Sequence, residues 1–281
     1  MTDDHTTGRI SSGDVSIFYR KFGKVGRTPV LIVHGLSFFS YDWIKPASLI
    51  ARDREVAAID MRGFGDSDWS AARDYKLETL SNDVIVVLDA LGWRKAVLMG
   101  HSFGGRVALA TAGWKTQRAA GLICVDFAPD LAPAGRRRVA ERIGRQPDVF
   151  ASVDEAMAYH HDNANDAARY ARWQVFLKKT DNGYVLKRDL HYRDNFKRAL
   201  ESGKSAPVPE FLWPMVAEMA IPTLLIRASR SDIFEAATLA KAKLLNPRLA
   251  AVELAGCHDL AGDNPDGLAA VVSDFLASNK L

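Results

Sequence analysis

Gly100-His101-Ser102-Phe103-Gly104 places a serine between glycines in the pattern G-x-S-x-G. The apolar run Lys95-Ala96-Val97-Leu98-Met99 precedes it, and the helix-prone Gly105-Arg106-Val107-Ala108-Leu109-Ala110 follows. A buried strand that breaks into a Gly-flanked serine and then into a helix holds that serine in strained backbone geometry. Its hydroxyl projects from the top of the strand, and the next amide points to the same place. Such a serine becomes a nucleophile only with a base to take its proton and an acid to orient the base. Of the seven histidines, His258 is the candidate base. It follows the strand-like Leu249-Ala250-Ala251-Val252-Glu253-Leu254 and precedes a predicted helix from Pro265 to Ala277. His5 sits in a polar tail, and His160, His161 and His191 sit in charged helical sequence.

The acid should fall between Ser102 and His258, in the order Ser, Asp or Glu, His. Asp232 is the leading candidate, because Ile221-Pro222-Thr223-Leu224-Leu225-Ile226-Arg227 reads as a buried strand and Ala228-Ser229-Arg230-Ser231-Asp232 as the loop at its end. Asp126 is the competitor. It ends the apolar run Gly121-Leu122-Ile123-Cys124-Val125, and its other reading is a structural carboxylate bonded to loop amides.

Elements that could hold these groups are legible around them. Arg9 to Ser12 and Val15 to Phe22 flank Gly13-Asp14, which predicts a hairpin. Strands and helices then alternate, which calls for a mostly parallel sheet covered on both faces. Leu77, Leu80, Val84, Val87, Leu88 and Leu91 keep the spacing of a helix. After Asp126 no convincing strand occurs until Thr223, too long a gap for a loop. Its Ala-, Arg- and Asp-rich composition predicts a helical cap over 128–220, inserted between core segments 1–127 and 221–281.

These motifs together resemble the α/β-hydrolase superfamily over nearly the whole chain. The resemblance implies a mostly parallel eight-stranded sheet flanked by helices, with Ser102, His258 and Asp232 as its triad. Val33-His34-Gly35-Leu36 resembles the family's His-Gly oxyanion loop, so the N–H groups of Leu36 and Phe103 would cradle a developing oxyanion. Asp60-Met61-Arg62-Gly63-Phe64-Gly65-Asp66-Ser67 resembles the D-x-R-G-x-G-x-S turn after the fourth strand, a scaffold without direct chemistry. His34 and His101 then read as scaffold beside the pocket, not as metal ligands.

Several branches are distinguished by residue. Haloalkane dehalogenases and epoxide hydrolases place an aspartate where this chain has Ser102. C–C hydrolases of aromatic-ring degradation carry a tryptophan after the histidine, whereas Asp259 follows His258 here. Haloperoxidase-like esterases share the serine elbow but have a shorter cap. Cofactor-free oxygenases take their acid from the strand before the cap, where Asp126 stands.

The cap should choose the substrate. Arg136, Arg137, Arg138, Arg142 and Arg145 form a basic cluster opposed nearby by Glu141. Arg142, Arg145 or Arg169 could clamp a substrate carboxylate, and the alternative is a solvated helix face. Arg169, Tyr170, Trp173 and Phe176 share one helical stripe, suited to core packing or to lining a pocket.

The expected reaction is two-step acyl transfer on a small or medium carboxylic ester. Alternatives are an amide, an activated C–C bond in a carboxylate-bearing intermediate, a triad-retaining ligand sensor and, as an outsider, an oxygenase. The reaction needs no metal or organic cofactor, and no H-E-x-x-H spacing occurs. A net charge of +3 gives no reason to expect nucleic acid. No apolar run approaches the ~18 residues of a membrane span. The acidic, polar start does not read as a signal peptide, and Cys124 and Cys257 read as free thiols in a reducing compartment. These features predict a cytoplasmic monomer or homodimer acting on a small molecule.

Overall fold

The structure, a computed structural model, describes residues 4–203 and 209–281. The first three residues of the polar start and residues 204–208 of the expected cap lie outside the described residues. β1 (His5–Ser12) and β2 (Val15–Phe22) form the expected hairpin, with Gly13 at φ +60° in its turn. β3 (Arg27–Val33), α1 (Ile44–Ile50), β4 (Arg54–Ile59), α2 (Leu77–Ala90), β5 (Ala96–His101), α3 (Phe103–Trp114) and β6 (Ala119–Val125) follow in alternation. The long segment after β6 holds α4 (Pro133–Gly144), α5 (Val153–Tyr159), α6 (Ala167–Phe176), β7 (Leu177–Thr180), β8 (Gly183–Leu186), α7 (Leu190–Ser202) and α8 (Leu212–Glu218). The core resumes with β9 (Thr223–Ala228), α9 (Ala236–Leu245), β10 (Ala250–Leu254), α10 (Leu260–Asp263) and α11 (Pro265–Ser278).

The sheet is eight-stranded in the order β1-β2-β4-β3-β5-β6-β9-β10. β1 and β2 run antiparallel at one edge, and the other six strands are mutually parallel. Alternation along β3 sorts the core: Leu31 and Val33 face the α2 and α3 side, while Val30 and Ile32 face α1 and α11. Fully burying such a side chain contributes about 1.5–3 kcal/mol. Parallel register brings the C-terminal ends of β3, β5, β6, β9 and β10 to one rim, where Gly35, Ser102, Asp126, Ser231 and His258 emerge.

The segment after β6 is not wholly helical. β7 and β8 pair as an antiparallel hairpin, because Asp181-Asn182-Gly183 supplies turn chemistry, with Gly183 at φ +128°, before the strand formers Tyr184 and Val185. Phe150 extends this ladder through two backbone bonds with Tyr184 of 2.7 and 2.8 Å. The segment is tied to the sheet domain where Gly65 N–H donates to Lys187 O and Asp189 N–H to Gly63 O, both at 2.7 Å. Its last helix, α8, packs against α3 and α9.

The D-x-R-G-x-G-x-S turn is a buried polar knot. Asp60 accepts from Ser40 N–H at 2.6 Å and Asp66 N–H at 2.8 Å, and burial raises its carboxyl above the usual range. Arg62 donates from Nε and Nη2 to Asp83 at 2.6 and 2.7 Å, and Ser12 Oγ donates to the same carboxylate at 2.6 Å. Removing one side of such a pair strands a buried charge, so Asp83→Ala should cost about 3–5 kcal/mol. Asp89→Ala, which removes an exposed partner of Arg118, should cost no more than about 1 kcal/mol. Thermal unfolding of both variants checks the contrast, and similar losses would contradict it.

Candidate active site

Ser102 leaves β5 with φ 51° and ψ −118°, a backbone conformation that costs about 1–3 kcal/mol for a residue with a side chain. Its N–H donates to Val125 O at 3.0 Å, and its carbonyl accepts from Gly105 and Arg106 at 2.9 and 3.3 Å. Glycine is required two residues on, because a Cβ at Gly104 would collide with the carbonyl oxygens of Val33 and His34. That closeness lets α3 begin against the end of β3. The elbow is therefore held by backbone on both sides.

His258 reaches Ser102 from the loop after β10. Its Nε2 lies 2.9 Å from Ser102 Oγ, and its Nδ1 lies 2.6 Å from Asp126 Oδ2. The acid in this chain of bonds is thus Asp126, not Asp232. Asp126 is fully buried at φ 44° directly after β6, and it also accepts from Ala228 N–H at 2.8 Å and Ser231 Oγ at 2.6 Å. The expectation for Asp232 fails because its loop turns that side chain outward. Arg138 on α4 grips the Asp232 carboxylate with two bonds, at 2.5 and 2.7 Å, and the carboxylate is 43% exposed. Ser231, one residue earlier, faces inward in its place. A signal for Asp126 was present in the sequence: apolar Val125 and Phe127 flank it, so a carboxylate there is buried and must find donors.

The loop after β3 closes on the elbow from the other side. A Cβ at Gly35 would lie 3.0 Å from Ser102 Cβ and 2.8 Å from His101 Nδ1, tighter than packed side chains allow. Phe38 N–H donates to Gly35 O at 3.2 Å, and Ser37 takes φ 64°, so residues 35–38 form a tight turn. Phe103 opens α3, where an N–H has no intrahelical acceptor. Among the described residues, no hydrogen bond takes the N–H of Leu36 or Phe103.

His34 and His101 brace these loops. His34 Nδ1 donates to Gly35 O at 2.8 Å while its Nε2 accepts from Met61 N–H at 3.0 Å. Burial holds the His34 ring neutral, down to about 4. His101 Nε2 donates to the backbone carbonyl of His258 at 2.8 Å. Burial, and next the nearby His258, pull His101 down to about 3.

The residues named in the segment after β6 separate. Arg145 is exposed and lies 3.8 Å from Glu141. Arg169 bonds Asp162 at 2.8 Å on the surface. Tyr170 packs against the core, and buried Trp173 donates from Nε1 to Asp162 at 2.8 Å. Arg142 is partly buried, and its Nε has no hydrogen-bond partner. The sequence reading missed Arg188, which is buried and donates to Ser37 Oγ beside the turn. Among the described residues, no cluster of three or more His, Cys, Asp or Glu side chains is gathered for a metal. None of the described helices is long and apolar enough to cross a membrane.

A serine hydroxyl, an imidazole and a buried carboxylate in hydrogen-bonded series, beside two available N–H donors, can carry out acyl transfer. The sequence pattern of the alpha/beta hydrolase fold matches residues 28–265. The chain belongs to the α/β-hydrolase family, and it is an enzyme of the hydrolase class. It is 26% identical over 280 residues to N-formylmaleamate deformylase of Pseudomonas putida, covering 96% of each chain. It is 34% identical to epoxide hydrolase 4 of Mus musculus over 124 residues, which are 44% of this chain and 34% of that protein. The crystal structure of E-2-(acetamidomethylene)succinate hydrolase superposes with a TM-score of 0.83 at 22% identity, over 98% of this chain and 100% of that one. This α/β hydrolase carries Ser102 at its elbow.

The two acids can be ranked without knowing a substrate. Asp126→Asn should slow fluorophosphonate labelling of Ser102 by about 10⁴-fold, because an amide favours the wrong imidazole tautomer. Asp232→Asn should change the labelling rate by less than about threefold. The opposite ranking would return the acid to Asp232.

The neutral His101 ring also sets a pH dependence of stability. Unfolding restores its ordinary pKa near 6.5, so below that pH the unfolded chain binds the extra proton. His101 therefore subtracts stability as pH falls from 6.5 toward 3, by up to about 1.4 kcal/mol per pH unit. His101→Gln keeps a donor for the His258 carbonyl and has no proton to gain. Urea unfolding between pH 7 and 4 should show the wild type losing stability faster than this variant. Parallel curves would rule out a buried neutral ring.

Proposed function

We propose that this enzyme is a serine hydrolase that cleaves a small carboxylic acid derivative through an acyl-enzyme. The observation that carries the reading is the unbroken series Ser102 Oγ, His258 Nε2, His258 Nδ1, Asp126 Oδ2, with bonds of 2.9 and 2.6 Å. Ser102 attacks the substrate carbonyl as His258 takes its proton. Asp126 holds the imidazole in the required tautomer and stabilises its cationic form. The N–H groups of Leu36 and Phe103 receive the oxyanion, a contribution of about 3 kcal/mol each. His258 returns the proton to the leaving group and then activates water to release the acid.

Esters and amides both fit this mechanism. A relative matched over 96% of its length, a deformylase named for N-formylmaleamate, favours an amide over the simple ester expected from sequence. An oxygenase reading shares the acid position at the end of β6. The Ser102–His258 bond, at 2.9 Å, supports a nucleophilic serine instead.

Fluorophosphonate should label Ser102 alone. Ser102→Ala should lose at least about 10³-fold in kcat on any substrate found by screening esters and N-acyl amides, with an unchanged thermal midpoint. Full activity in that variant, or oxygen uptake in place of hydrolysis, would refute the proposal. Release limited to one turnover per molecule would instead favour a ligand sensor.

A further inference from the structure

Among the described residues, three largely buried guanidinium groups are counter-charged, and those of Arg106, Arg142 and Arg188 have no carboxylate partner. Arg54 lies against Asp53, and Arg62 lies against Asp83 and Asp14. Arg172 holds Asp42 at 2.6 Å and stacks over the Phe176 ring. Arg188 is 2% exposed, and among the described residues no carboxylate pairs with it. Its Nη1 donates to Ser37 Oγ, and its Nη2 donates to Gln146 Oε1 at 2.7 Å. Both acceptors are neutral. The charged group that acts most on Arg188 is a second cation, Arg142, and burial together with that cation pulls Arg188 down to about 9.

A buried charge without a counter-charge opposes folding, and its persistence calls for a compensating role. Polar atoms nearby share the deficit. Arg142 Nε, His160 Nε2 and Tyr192 Oη are all buried without a hydrogen-bond partner. Burial, and then Arg142, Arg188 and Arg172, hold His160 down to about 3, so it adds no positive charge. The group adjoins the reacting centre on two sides. Ser37 follows Leu36 in the turn against Ser102, and the Tyr192 ring meets the Phe103 ring edge-on at 6.3 Å.

We infer that Arg188, with Arg142 beside it, receives a carboxylate on the substrate, so the bond cleaved belongs to a small acid derivative bearing a second, ionised carboxyl group. This rests on the serine-hydrolase reading above. Neutral oxygens take two of the five guanidinium N–H groups, which leaves donors for parallel contacts to a planar carboxylate. The substrate then supplies the missing negative charge, and unlike Arg145 and Arg169, Arg188 has no protein carboxylate to compete for it. Specificity for the anion comes from one deeply placed cation, not from the basic surface of α4.

Two esters of matched length test this: mono-4-nitrophenyl succinate and 4-nitrophenyl butyrate. Wild type should prefer the anionic ester in kcat/KM. Arg188→Met should lower the anionic-to-neutral ratio about 10- to 100-fold, mainly through KM, as expected for losing hydrogen bonds to a charged group. Arg188→Lys should fall between them. The thermal midpoint of Arg188→Met should hold or rise, because an uncompensated charge is gone, whereas a structural arginine would lower it. Calorimetric titration of succinate, which needs no turnover, should show binding to wild type and Ser102→Ala that Arg188→Met loses. Succinate binding through Arg188 without hydrolysis of either ester would keep the anion site and overturn the hydrolase reading. Equal losses on both esters, no succinate binding, or inorganic phosphate binding as tightly as succinate would overturn the carboxylate site.

Discussion

A single buried carboxylate governs how the rim of this sheet is arranged. Asp126 is removed from water, and an ionised carboxylate there is tolerable only with a full set of donors. Three arrive from separate parts of the chain: the Ala228 amide at the end of β9, the Ser231 hydroxyl in the loop beyond, and the His258 ring after β10. Satisfying that one charge fixes the β9 loop, and the ring it orients touches Ser102. The same requirement leaves Asp232 free to turn outward to Arg138.

Three residues with side chains take positive φ at this rim: Ser37, Ser102 and Asp126. Each conformation is costly, and each is held by close packing around it. Gly104 lets α3 approach the end of β3, and Gly35 lets the following turn approach Ser102. His34 and His101 stay neutral and bond backbone carbonyls and amides of those loops, so their chemistry is mechanical. Strain and packing are concentrated in the same few residues. The rest of the sheet is ordinary alternation of apolar side chains between two cores.

Buried arginines are managed in two ways in this molecule. In the sheet domain, buried Arg62 is met by Asp83 within the D-x-R-G-x-G-x-S knot. In the segment after β6, surface arginines are paired with nearby acids, while Arg188 and the Nε of Arg142 face inward without one. A cation kept from both water and carboxylates is poised for an anion from outside.

Local sequence determined a great deal here. The period-two and period-3.6 patterns, the Gly13-Asp14 turn and the G-x-S-x-G elbow specify hairpin, alternating elements and the strained serine, because each depends on residues within one element or turn. His258 was legible for the same reason, as a histidine at a strand end. The choice between Asp126 and Asp232 was not, since both end parallel strands and only the paths of the β9 loop and of α4 decide which carboxylate points inward. The β7–β8 hairpin was readable from Asp181-Asn182-Gly183 but masked by the helical composition around it. Arg188 carries no local mark among the chain's many arginines. Its distinction is near-complete burial against Ser37 and Gln146 with no carboxylate partner, and neighbours distant in sequence are supplied by tertiary structure alone.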